Sequence, residues 1–129
     1  MVDERITDGK RIAQLLASEL SGRESGPLGA LAVVDADPDA DPTPDGTFAY
    51  GVDRDGERLA DVFVQPDRAR VELRRNVEAA MAAAERVREG TALRARPKAV
   101  DPPRALVFVE SGAAVKAAVD VLVAAGEDG

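Results

Sequence analysis

Phe48-Ala49-Tyr50-Gly51-Val52-Asp53-Arg54-Asp55-Gly56-Glu57-Arg58-Leu59-Ala60-Asp61-Val62-Phe63-Val64 is the stretch whose reading decides the fold. Apolar residues alternate on both sides of Asp55-Gly56, a dipeptide that readily takes the positive φ a two-residue hairpin turn requires. The segment therefore reads as two antiparallel strands. A turn centred there sets Val52 opposite Leu59, Tyr50 opposite Asp61 and Phe48 opposite Phe63, so Asp61 is expected among aromatics, paired with Arg58, Arg70 or the Tyr50 hydroxyl. Ala49, Gly51, Ala60, Val62 and Val64 fall on the other side of the ribbon. Two apolar faces imply two coverings, one by helices and one by a partner or a second copy of the chain.

Downstream, Gln65-Pro66-Asp67-Arg68 makes a second turn, and Ala69, Val71 and Leu73 alternate with Arg70, Glu72 and Arg74 as a half-buried strand. Asn76 is placed to cap a helix carrying Val77, Ala80, Met81, Ala84 and Val87 on one stripe and ending at Gly90. Leu93 to Val100 alternates again, and Pro97 assigns it to a sheet edge. After Asp101-Pro102-Pro103, Leu106 to Val109 reads as a buried strand. Ser111 caps a last helix whose inner face is Val115, Ala118, Val119 and Leu122.

Upstream, Ile12, Leu15, Leu16 and Leu20 have helical spacing between Asp3 and Ser21, with Thr7 or Asp8 as cap. Leu28 to Val34 is a short strand. Residues 35–46 hold five aspartates and three prolines, a composition suited to a loop and to neither helix nor sheet. The order α-β-β-β-β-α-β-β-α implies an α+β fold: a mostly antiparallel sheet of five to six strands with three helices packed mainly on one face.

The length of 129 residues suits one domain spanning 1–129, with the acidic loop at 35–46 as its low-complexity segment. Aromatics are only 3%, so the core must come from Val, Leu, Ile and Ala. No apolar run is long enough to span a membrane, and the charged Asp3-Glu4-Arg5 start does not resemble a signal peptide, so a cytoplasmic location is expected. The chain has no cysteine and no histidine, which removes thiol nucleophiles, thiolate metal sites and imidazole acid/base chemistry. No cofactor is implied.

Net charge is −7, and only Lys10, Lys98 and Lys116 are lysines among 17 basic residues. An acidic surface poor in lysine suits a cytoplasm at molar salt, and the alternative source of this composition is an acidic protein of a GC-rich genome. The segments from Arg5 to Glu19, from Arg96 to Val100 and from Leu106 to Val109 resemble small uncharacterised proteins of halophilic archaea. That resemblance implies a halophilic source and brings no catalytic residue with it.

Four candidate sites can be weighed. Asp35, Asp37 and Asp39 match the first three ligand positions of a calcium loop, but Ala40 stands where the turn glycine belongs and Gly46 where the bidentate glutamate belongs. No metal site is expected there. Asp61, Glu72 and Arg74 resemble the acidic residue and Glu-x-Lys pattern of restriction-like nucleases, with arginine in place of a lysine that can be deprotonated. A metal-dependent hydrolase is the least favoured reading. Ser111-Gly112 could offer amides to an anion, a pattern indistinguishable from an ordinary helix cap.

The fourth candidate is a cationic face. Residues 67–104 carry ten basic and six acidic residues, against six and fourteen in residues 1–66. Arg70, Arg74, Arg94, Arg96 and Lys98 are expected to share one sheet face and are the candidate ligand-binding residues, since guanidinium forks suit phosphates and carboxylates. Set against this, Glu72, Glu78, Glu85 and Glu89 can balance them, no aromatic interleaves with them along the chain, and phosphate-backbone binding weakens steeply with salt. The function expected from sequence is thus a non-enzymatic protein-interaction or self-associating module, with a protein partner or homodimer. Nucleic-acid or phosphate-ligand binding through the arginines is the alternative.

Overall fold

The computed structural model describes residues 8–21, 31–37, 39–54, 56–87, 93–98 and 104–127. Helix α1 (Gly9–Ser21) precedes β1 (Leu31–Val34), β2 (Thr47–Arg54), β3 (Glu57–Gln65) and β4 (Arg68–Leu73). Helix α2 (Val77–Val87), β5 (Leu93–Lys98), β6 (Arg104–Val109), a short 3-10 turn (Gly112–Ala114) and α3 (Val115–Glu127) complete the chain. Fold class, element order and helix count are as expected. The anticipated beginnings at Asp3 and Leu28, the helix stop at Gly90 and the strand end at Val100 lie outside the described residues.

All six strands pair antiparallel in the order β1-β2-β3-β4-β6-β5. The last hairpin is thus added in reverse, with β6 between β4 and β5. This order leaves β5 at one edge, where a proline costs no ladder bond. Val62, Val71 and Val107 lie side by side across β3, β4 and β6, as do Val64, Ala69 and Val109. All six are buried and form the floor of the core.

The helices cover that floor with the stripes their spacing dictates. Ile12, Leu16 and Leu20 of α1 are buried at successive turns, as are Ala80, Ala83 and Ala84 of α2 and Val115, Ala118, Val119 and Leu122 of α3. Asp8 caps α1, its Oδ1 accepting the amides of Lys10 at 3.0 Å and Arg11 at 3.3 Å. Asn76, at φ 53°, ties the start of α2 to α3 by donating from Nδ2 to the Ala125 carbonyl. Ser111 makes no side-chain cap; its carbonyl accepts the Ala114 amide at 3.1 Å, opening the 3-10 turn.

The central hairpin departs from simple alternation. The register slips between Phe48 and Tyr50 and again between Val52 and Asp53, so Tyr50 pairs with Val62, Val52 with Ala60 and Gly51 with Asp61. Of the three pairings expected from the alternation, only Phe48 with Phe63 is formed. Each slip reverses which side chains face the helices, the known effect of a β-bulge. Tyr50 therefore turns inward, its buried hydroxyl donating to the Ala13 carbonyl at 2.8 Å, while Asp61 faces away from the helices. Burial raises the Tyr50 phenol well above its ordinary pKa.

The described residues of 35–46, all but Pro38, form neither helix nor strand, as expected, yet they are anchored. Asp37 N–H donates to the Ala49 carbonyl at 2.7 Å, Gln65 Nε2 to the Pro44 carbonyl at 2.7 Å, and Ala40 is buried in the core. No helix among the described residues is long and apolar enough to cross a membrane.

The N-terminus of α1 rests on the β3–β4 turn. Gly9 N–H donates to the Pro66 carbonyl at 3.2 Å, and a Cβ on Gly9 would lie 1.8 Å from the Gln65 carbonyl oxygen and 2.5 Å from that of Arg68. Backbone cannot yield as a side-chain tip can, so Gly9→Ala must lift the helix. The expected loss is about 2 kcal/mol of stability, in the range of overpacking a tight site, read as a lowered denaturant midpoint with helical circular dichroism retained. An unchanged midpoint would mean that α1 does not depend on this contact.

Candidate functional site

The sheet face turned away from the helices is a charged layer over aromatic rings. At its centre Asp61 and Glu72 are direct cross-strand partners, 2% and 3% exposed. Like charges opposite one another destabilise a sheet unless countered. Here all four carboxylate oxygens are countered. Asp61 Oδ1 accepts from Arg58 Nη1 at 2.7 Å, and its Oδ2 from Arg74 Nε at 2.7 Å. Glu72 Oε2 accepts from Arg70 Nε at 3.1 Å, while Oε1 takes Arg104 Nη1 at 3.1 Å and Lys98 Nζ at 3.4 Å.

Arg58 extends this network to the acidic loop, donating to Asp53 at 2.9 Å and to Asp35 at 2.7 Å. Its hydrogen bonds to Asp61 and Asp53 raise its pKa above the ordinary arginine value. Gly51 makes the crossing possible, since a Cβ there would lie 2.5 Å from the Arg58 guanidinium carbon. Arg70 Nη1 donates to the Asp45 carbonyl at 3.0 Å, so the loop is tied to the face at two points.

At the β5 end the arginines meet aromatics. Phe108 of β6 lies between Arg70 and Arg94 in register. The guanidinium carbon of Arg68 is 4.2 Å from the Phe108 ring centre, that of Arg96 5.6 Å and that of Arg94 6.0 Å. Arg70 similarly lies 4.6 Å above Phe63, which packs edge-on to Phe48 at 5.9 Å. Contacts of this kind hold guanidinium planes over ring faces. No aromatic interleaves with the arginines along the chain, but the reversed last hairpin brings Phe108 among them from a distant part of it.

The five residues singled out from sequence do share this face, with different surroundings. Arg70, Arg74 and Lys98 are bound to Glu72 or Asp61, and Arg94 forks onto Glu110 through bonds of 3.0 and 2.6 Å. Arg96, exposed, has no carboxylate partner among the described residues. A shallow hollow opens beside it, lined by Arg68, Arg94, Ala95, Arg96 and Phe108. Arg58, Arg68, Arg104 and Glu110 belong to the face and were not in the sequence-derived set of ligand-binding residues; Arg58 was expected only as a partner of Asp61, which it is.

Counting the described residues, this face collects eight cations against five carboxylates, a surplus of three positive charges on a chain of net −7. Guanidiniums in such surplus have the donor geometry to pair with carboxylates or phosphates. Asp61 and Glu72 are not disposed to ligate a metal, because every one of their oxygens already faces a cation. Among the described residues no group of three potential ligands gathers, at Asp35, Asp37 and Asp39 or elsewhere.

The face also removes the reason for a second covering. Ala60, Val62 and Val64 point to the helices, so the sheet has one apolar face and one charged face.

The chain belongs to the Family of unknown function (DUF7993), whose model matches residues 1–128. No curated protein and no solved structure matches it.

Two outcomes follow from the ion-pair geometry. Glu72→Gln leaves Arg70, Arg104 and Lys98 facing one another without their anion. Those cations are 16–41% exposed, so water recovers part of the loss. The cost is expected at about 2 kcal/mol, below the several kcal/mol of a fully buried broken pair, read from equilibrium unfolding. A midpoint equal to wild type would assign the network no stabilising role.

Glu110 is held below the ordinary carboxylate pKa, chiefly by its hydrogen bond from Arg94. A carboxylate with a depressed folded-state pKa contributes stability that is present above its unfolded value and is lost as pH falls through the folded value. NMR titration should place Glu110 low in the wild type and nearer ordinary in Arg94→Gln. Titration at the same pH in both proteins would contradict the pairing.

Proposed function

We propose that this chain is a non-enzymatic interaction domain that takes an acidic protein partner on its open sheet face. The observation carrying this reading is the group of three guanidiniums around Phe108, with Arg96 free of any carboxylate among the described residues. Side chains fixed over a ring and onto neighbouring carboxylates lose less entropy on binding than mobile ones. The domain supplies preorganised donors, and the partner supplies carboxylates.

Nucleic acid fits the face less well. Phe108 is only 6% exposed beneath its arginines, so its ring offers no platform for a base. Self-association by burying an apolar sheet face loses its support, because the open face is charged. An acidic, lysine-poor surface remains consistent with a halophilic archaeal source and a cytoplasmic location, which we include in the proposal. In such a setting only short, partly desolvated ion pairs retain strength, as salt screens the rest.

The test is fluorescence anisotropy with labelled poly-glutamate and, separately, a mixed-sequence single-stranded oligonucleotide, across a KCl series. Poly-glutamate should bind and weaken with salt. The double variant Arg94→Glu/Arg96→Glu should lose at least about tenfold in affinity, because charge reversal adds repulsion to the lost attraction. Lys116→Glu on α3, outside this face, should match wild type. Tighter oligonucleotide binding lost in the same variant would transfer the face to phosphates, and no binding of either probe would refute the reading.

A further inference from the structure

β5 is the outermost strand beyond β6, and no described strand pairs with its free side. Its pairings run Arg94↔Phe108, Ala95↔Val107, Arg96↔Leu106, Pro97↔Ala105 and Lys98↔Arg104. Pro97 has no N–H to give, so it fits the strand position whose backbone points away from β6. Backbone direction alternates along a strand, so Ala95 points outward with it and offers both its N–H and its C=O. Arg94, Arg96 and Lys98 instead bond inward to β6 and set their side chains on the open face about 6.8 Å apart, the repeat of alternate residues in an antiparallel strand.

A second copy does not suit this edge. Pairing β5 with β5 would place arginine and lysine against like charges, the arrangement by which natural sheets discourage edge-to-edge association. An acidic strand would find the opposite.

Resting on the reading of the open face as an anion-binding surface, we infer that the outer edge of β5 receives an extended acidic peptide as a seventh strand. The peptide residue paired with Ala95 exchanges both backbone hydrogen bonds with it. Its neighbours on either side fall beside Arg94 and Arg96, where carboxylates face guanidiniums. The central residue points to the side of the sheet that α2 covers, so it is apolar. The motif recognised is acidic–apolar–acidic, with Arg96 as its main anchor because Arg94 already shares Glu110. Backbone bonds supply affinity and alternate side chains supply specificity, as in other cases of strand addition.

The experiment uses the full chain and four capped, labelled peptides of equal composition. One alternates glutamate with valine, one gathers the glutamates in a block, and two are the alternating peptide N-methylated on its valines or on its glutamates. The valine N–H groups are the ones that would meet Ala95. The alternating peptide should bind at least about tenfold tighter than the blocked one, valine methylation should abolish the difference, and glutamate methylation should leave it, since only one edge of the peptide pairs. Equal binding of alternating and blocked peptides, insensitive to methylation, would overturn strand addition while leaving the anion-binding face intact. Failure of every acidic peptide to bind would overturn both.

Discussion

Asp61 and Glu72 impose the constraint on which the open face depends. Two carboxylates in register on adjacent central strands, each nearly inaccessible to water, can be kept only where cations replace the lost hydration. Five cations do so, from β3, the chain after β4, β4 itself, β5 and the first residue of β6. Neither carboxylate could be placed this way on a sheet whose neighbouring strands lacked arginine. The pair thereby ties the last two strands to β4, since Arg104 of β6 and Lys98 of β5 both reach Glu72 in the order β4-β6-β5.

That arrangement decides what the second face of the sheet can be. Arginine stems and guanidinium planes spread over Phe63 and Phe108, so the rings are covered without a second layer of helix or strand. Arg58, crossing Gly51, joins the same network to the acidic loop through Asp35, while Arg70 holds Asp45 by its carbonyl. A loop whose composition promises only solvent exposure is thus fixed at both of its ends to the face it borders. The ledger of charges on this face is local: the molecule is acidic, yet eight of its 17 basic side chains gather here.

The element order was legible because periodicity, glycine-proline punctuation and capping residues are local signals. Ile12, Leu16 and Leu20 announce α1, and Pro97 announces an edge. The register of the central hairpin was not legible, because two bulges interrupt a pattern whose period of two gives no warning of them. One slipped residue sends Tyr50 to the helices and Asp61 to the opposite side. Of the candidate site, the row of arginines was visible in the alternation of Arg70, Arg74, Arg94, Arg96 and Lys98. Phe108 and Glu110 were not, because their place among those arginines comes from the reversed final hairpin, a long-range choice with no local signature. Arg104 was hidden for the same reason, whereas the pairing of Arg58 with Asp61, three residues apart on β3, was among those the sequence suggested.

Ion pairs of this network differ in how they should respond to their surroundings, and the difference separates structure from recognition. Asp61 and Glu72 lie beneath their partners, so dissolved ions reach them poorly and their attraction survives salt that screens exposed charges. Arg94, forked onto Glu110, and Arg96, with no carboxylate partner among the described residues, stand at the rim, where salt has access. A protein can therefore hold its fold through the inner pairs while tuning association through the outer ones. The charges outside this face sum to a net negative value, so the cationic surplus is a local property of the sheet face, set against an otherwise acidic chain.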